Sequence, residues 1–165
     1  MKNNRNQSLH QSLLNAISLY DDTLLEEQGG FILKEKNKEN YKFIKVTNAM
    51  TGMSPARSLF VAETKEFGEI LAITDKEWDI FASYHTHPSG MQAFPSSIDI
   101  NKLFSSFPIN FIYAPGIALN RFDYQKANKK YPKACWKLTE ILDKEFFEDK
   151  SICKTHNKWV ESENC

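Results

Sequence analysis

Trp78-Asp79-Ile80-Phe81-Ala82-Ser83-Tyr84-His85-Thr86-His87-Pro88 reads as a buried strand running into a turn. Residues 78–84 are rich in aromatic and apolar side chains, and Pro88 closes the run. Side chains alternate faces along a strand, so His85 and His87 point the same way and can grip one ion. Downstream, Pro95-Ser96-Ser97-Ile98-Asp99 adds a hydroxyl and a carboxylate. Zinc takes imidazole nitrogens and carboxylate oxygens at about 2.0–2.2 Å, and three protein ligands leave a fourth position for water, which distinguishes a catalytic ion from a structural one. Each piece has a plainer reading. A lone His-x-His is a common chance spacing, and Ser96-x-x-Asp99 also serves as a helix N-cap with an acid at its third position. The two readings of Ser96 are compatible. A helix from about Ser97 to Phe104, capped by Ser96, puts Asp99 in its first turn, where the dipole favours the ionised carboxylate that a metal needs.

What such a site still lacks is a general base, and an acid stands far upstream. Glu26-Glu27-Gln28-Gly29-Gly30-Phe31-Ile32-Leu33 places it at the mouth of an apolar strand, with two glycines where the backbone bends or something approaches closely. Read alone, this is an acidic turn feeding a strand. In the order Glu-x-Gly-Gly, His-x-His-Pro, Pro-Ser-x-x-Asp, the chain resembles the JAMM/MPN+ metalloprotease family, in particular its prokaryotic JAB-domain branch. The resemblance implies His85, His87 and Asp99 as zinc ligands, and Glu27 and Ser96 as catalytic groups. It favours Glu27 over Glu26, because the family's acid stands three residues before the glycine that precedes the apolar run. Thr47-Asn48, Ser54-Pro55 and Ser58-Leu59-Phe60-Val61 also resemble the family's intervening segments, so that roughly residues 24–124 are covered. One departure lies in Ser89-Gly90-Met91-Gln92-Ala93-Phe94, a loop one residue longer than in most members.

The remaining chain is ordinary for a water-soluble domain. At 165 residues, with 41% hydrophobic and 25% charged residues, it is long enough for one domain with a real core. We expect a single unit over 1–165, with its core at about 8–147 and a polar tail at 148–165. A net charge of zero and a pI near 6.9 offer no basic field for nucleic acid or anionic lipid. No apolar run approaches the ~18 residues of a membrane span, and the N-terminal residues are too polar for a secretory signal. Cys135, Cys153 and Cys165 cannot all pair within the chain, which suits a reducing cytoplasm. Their spacing around His156 matches no recognised zinc finger, so inert thiols are the simpler reading.

Periodicity predicts a helix over about Ser8 to Tyr20, strands at Gly30 to Lys34 and Tyr41 to Thr47, and a third strand at Ser58 to Ala62. Thr64 is expected to cap a helix carrying Phe67, Ile70 and Leu71. Strands at Ile109 to Ala114 and Ile117 to Tyr124 flank Pro115-Gly116. A polar linker over Gln125 to Tyr131 leads to Pro132, expected to start a last helix bearing Trp136, Leu138, Ile141, Leu142 and Phe146. The fold class expected is α+β, a mixed, largely antiparallel sheet flanked by helices. The resemblance implies the same cytidine-deaminase-like architecture.

For function, the resemblance implies a zinc-dependent isopeptidase acting at the C-terminus of a ubiquitin-like protein, in the cytoplasm. Conjugation-pathway enzymes encoded nearby, including those of anti-phage systems, are the implied partners. Two alternatives keep the motif: a peptidoglycan peptide hydrolase of phage-tail type, and a RadC-like protein. A metal-free scaffold of the same fold would lack ligands that stand here in full. A nucleoside deaminase needs His-x-Glu with Pro-Cys-x-x-Cys, and this chain has neither.

Overall fold

The computed structural model describes residues 6–74, 76–88, 91–96, 98–103, 106–126 and 134–139. Ser8 opens the first helix, α1 (Leu9–Ser18), its hydroxyl accepting the Gln11 amide at 3.1 Å. Two strands follow, β1 (Gly29–Glu35) and β2 (Tyr41–Val46), joined as a hairpin whose turn holds Asn37 at φ 61°. Asparagine tolerates that left-handed backbone better than most residues. After a single 3₁₀ turn at Ser54–Arg57 come α2 (Thr64–Thr74) and the long strand β3 (Trp78–Thr86). One π-type turn spans Asp99–Leu103, and β4 (Ile109–Ala114), β5 (Ala118–Lys126) and β6 (Ala134–Thr139) complete the order.

The six strands form one sheet in the order β2-β1-β3-β4-β5-β6. Only β3 and β4 run parallel, so the sheet is mixed and mostly antiparallel, as expected. A parallel neighbour requires a crossover, and here the crossover is the segment that carries His87, Ser96 and Asp99. Alternation along the strands splits the core between two faces. Ile32, Ala82, Tyr84 and Phe111 pack with Leu13 and Ala16 of α1 on one face. Phe31, Leu33 and Val46 pack with Ile70 of α2 and with Phe60 on the other. Opposite neighbours on β3 must face away from α1, which sends Ser83 and His85 to the α2 side.

Several expectations are corrected. Residues 58–62 make one bridge, Asn48 to Ala62, instead of a strand. The Asn48 side chain itself serves the Leu59 carbonyl and the Val61 amide, so those groups need no ladder. Thr64 is the first residue of α2 and not its cap; the Glu63 carboxylate accepts the Glu66 amide at 2.9 Å instead. Of the residues expected on one face, Ile70 is buried while Leu71 stays exposed. In place of a regular helix from Ser97 there is the short π-type turn, although its cap forms as expected. Finally, Ala134–Thr139 is a strand and not a helix. Trp136 and Leu138 fit a period of two as well as a helical one, and without β6 the backbone of β5 would be an open edge. β5 accordingly runs on to Lys126, through the start of the expected linker. Ile141, Leu142, Phe146 and the polar tail with Cys153, His156 and Cys165 lie outside the described residues.

Candidate metal centre

At the end of β3 the sheet sets an acid beside the histidines. Gly29 pairs with His85 in the β1–β3 register. Beyond it the ladder is continued by the Thr86 amide donating to the Gln28 carbonyl at 2.7 Å, and the Gln28 amide to the Thr86 hydroxyl at 3.0 Å. One residue further, Glu27 stands opposite His87. Antiparallel pairing puts opposite side chains on the same face, so Glu27 turns inward, its Oε1 3.8 Å from His87 Nε2. Glu26 points the other way, toward solvent, accepting the Gly52 amide at 2.8 Å. Both glycines are close-approach positions. A Cβ on Gly29 would stand 2.6 Å from the Tyr84 carbonyl oxygen, and one on Gly30 2.0 Å from that of Ile44.

His85 and His87 present their Nε2 atoms to each other at 3.2 Å. Asp99 closes the group, Oδ1 lying 3.4 Å from His85 Nε2 and Oδ2 3.6 Å from His87 Nε2. It is held by Ser96: the Ser96 amide donates to Oδ2 at 2.6 Å, and the Asp99 amide to the Ser96 hydroxyl at 3.2 Å. That is a reciprocal capping box. Glu27, His85, His87 and Asp99 offer ligand atoms that all lie within 4.8 Å of one another, and all four residues are buried.

Those distances suit an ion. Tetrahedral coordination at about 2.0–2.1 Å places ligand atoms roughly 3.3–3.4 Å apart, which the histidine and aspartate spacings straddle. Two imidazole nitrogens aimed at each other need a proton or a cation between them. Tautomer geometry favours the cation. The His87 Nδ1 stands 2.7 Å from the Gln92 carbonyl, which can only accept, so Nδ1 carries the hydrogen and Nε2 of the neutral ring offers its lone pair. Among the described residues the buried Glu27 Oε2 has no hydrogen-bond partner, an expense a polar atom escapes only with a ligand or water nearby.

Electrostatics separate the two carboxylates. Burial pushes the Glu27 carboxyl above its ordinary value, against the pull of His85 and His87. Burial acts the same way on Asp99, but hydrogen bonds from His85, His87 and the Ser96 amide outweigh it and hold Asp99 well below the usual carboxylate range. Burial alone would lower His87; Asp99, the Gln92 carbonyl and Glu27 reverse this, and its proton is held more tightly than usual. Proton and metal therefore compete for Nε2 of His87. Asp99 is fitted to stay ionised as a ligand, and Glu27 to exchange a proton.

All five residues singled out in the sequence thus meet: four ligand-bearing side chains in one cluster, and Ser96 bracing Asp99. Gln92 was missed. It acts through its backbone carbonyl, which no residue type advertises.

A family model described as prokaryotic homologs of the JAB domain matches residues 11–129. Among solved structures, the chain is similar to the solution structure of a protein from Desulfitobacterium hafniense. The TM-score is 0.60 at 16% identity, covering 83% of this chain and 90% of that one. At that identity the likeness speaks to the fold alone. Curated protein sequences contain no match.

Proposed function

The chain belongs to the prokaryotic homologs of the JAB domain, and we propose that it is a zinc-dependent isopeptidase hydrolysing an amide at the C-terminus of a ubiquitin-like protein. The observation carrying this reading is the buried cluster itself, in which Glu27, His85, His87 and Asp99 bring their ligand atoms within 4.8 Å of one another. Zinc held by His85, His87 and Asp99 would supply a Lewis acid that activates water near neutral pH and polarises the scissile carbonyl. Glu27, its carboxyl raised by burial and its Oε2 uncommitted, takes the proton from the attacking water and returns it to the leaving amine. Such general acid–base catalysis typically contributes ~10²–10⁴-fold. Ser96 accepts from the Asp99 amide and keeps its own hydroxyl hydrogen, which can be aimed at the developing oxyanion. No covalent nucleophile is needed.

What surrounds the cluster supports this choice of substrate class. An extended tail of small residues can bring a backbone carbonyl to a buried centre, where bulky side chains would be excluded. The loop at 49–53, tied to Glu26 through Gly52, carries the exposed Met53, and Met91 is exposed on the loop after His87. Both offer adaptable apolar contact to a folded partner. Among the described residues no helix is long and apolar enough to cross a membrane.

Trapping with the Glu27→Gln protein in its host tests the reading, with bound material identified by mass spectrometry. We expect a ubiquitin-like protein that the wild type cleaves at its C-terminal glycine and spares when zinc is chelated. Recovery of muropeptides alone, with no ubiquitin-like fusion cut, would assign the protein to peptidoglycan hydrolysis instead.

A further inference from the structure

Outside the cluster, two buried asparagines each touch the backbone of a segment that holds one of its members. Asn48, 5% exposed, follows β2 and makes four hydrogen bonds. Its Nδ2 donates to the Glu27 carbonyl at 3.0 Å and to the Leu59 carbonyl at 2.9 Å. Its Oδ1 accepts the Met50 amide at 3.0 Å and the Val61 amide at 3.2 Å. The full capacity of the amide is used, and one of its ends grips the residue that carries the base. Asn120, also 5% exposed, lies on β5 and reaches across to the other side of the site. Its Nδ2 donates to the Ala93 carbonyl at 3.0 Å. The adjacent carbonyl, that of Gln92, receives Nδ1 of His87.

We infer that Asn48 and Asn120 are positioning residues with separable duties, Asn48 aligning the base Glu27 and Asn120 aligning the ligand His87. The separation follows from connectivity. Among the described residues, Asn48 bonds the 27, 50, 59 and 61 backbone and none of the ligand loop. Among the same residues, Asn120 bonds the ligand loop at Ala93 and nothing near Glu27. A ligand whose outer hydrogen bond is loosened typically binds metal 10–100-fold more weakly. A base displaced by even 1 Å can cost about 10²-fold in turnover while leaving the ion in place. The Asn48 half rests on the amide hydrolysis proposed above; the Asn120 half needs only that the cluster hold zinc.

The test measures zinc affinity by competition with a chromophoric chelator, and turnover at saturating zinc on a ubiquitin-like fusion. Asn120→Ala should lose ~10–100-fold in zinc affinity and recover turnover to within about threefold once zinc saturates. Asn48→Ala should bind zinc within about threefold of wild type yet lose ~10-fold or more in turnover, with little further loss when combined with Glu27→Gln. Asn48→Ser, which keeps a small polar side chain, replaces Asn48→Ala if that variant does not fold. Hydrogen exchange adds a readout independent of activity: the Met50 and Val61 amides, which Asn48 Oδ1 accepts, should exchange faster in the Asn48 variant and unchanged in the Asn120 variant. Should wild type bind zinc but hydrolyse nothing, the isopeptidase reading fails, and affinity and exchange still judge the two asparagines. Parallel losses in both measures for both variants, or no loss in either, would overturn the inference.

Discussion

Replacing Gly29 by alanine tests whether the close approach of β1 to β3 is what sets Glu27 against His87. The new Cβ would sit 2.6 Å from the Tyr84 carbonyl oxygen and 2.9 Å from Cζ of Phe60. Ordinary contact begins near 3.4 Å, so about 0.8 Å must be found. Phe60 is packed among Phe31, Leu33, Val46 and Ile70, and the Tyr84 carbonyl belongs to a strand paired on both sides. Neither yields freely, and the slack comes from the start of β1, two residues from Glu27. Overpacking of this kind costs about 1–3 kcal/mol. At roughly 3 °C per kcal/mol for a chain of this size, Tm should fall by about 3–9 °C. A displacement approaching 1 Å at Glu27 should lower turnover by about 10²-fold. Zinc should remain, since His85, His87 and Asp99 lie on other segments. Calorimetry, elemental analysis and a cleavage assay on one preparation give the three numbers. An unchanged Tm with full turnover would refute the reasoning, and so would parallel loss of zinc and activity. Gly30→Ala is the companion: its Cβ would meet the Ile44 carbonyl oxygen at 2.0 Å, which pries β1 from β2 and should destabilise more.

His85→Ala and His87→Ala each leave two ligands from the proposed set, so elemental analysis should find markedly less than the wild type's expected one zinc; undiminished metal in both would sink the ligand assignment. Glu27→Gln should keep zinc and lose ~10²-fold or more in turnover, whereas Glu26→Gln, whose carboxylate faces the Gly52 amide, should stay near wild type; the reverse pattern would exchange their roles. Leu13→Ala opens a cavity where α1 meets the sheet and should cost about 2–5 kcal/mol in chemical denaturation, with zinc stoichiometry unaltered. Polar replacement of Met50 and Met53 should raise KM for a protein substrate while leaving a short peptide unaffected; equal effects would argue against a docking role.

Much of the grouping of these side chains was legible in one dimension because it rests on residue types at short spacings. His85 and His87 share a face wherever Trp78–Thr86 is a strand, and Ser96 with Asp99 makes its capping box through bonds three residues apart. The α1 stripe and the β1–β2 hairpin were equally local. Glu27 needed more. Its partnership with His87 spans sixty positions, and the sequence offered it only by resemblance, while the β1–β3 register decides it physically. Tertiary structure alone determined the rest. Antiparallel pairing with β5 turned residues 134–139 into a strand where local pattern allowed a helix, because the shared ladder satisfies backbone groups of both segments. A side chain, Asn48, replaced the ladder expected at 58–62. The backbone carbonyl of Gln92, which sets the tautomer of His87, is a group every residue carries, and only the folded loop aims it.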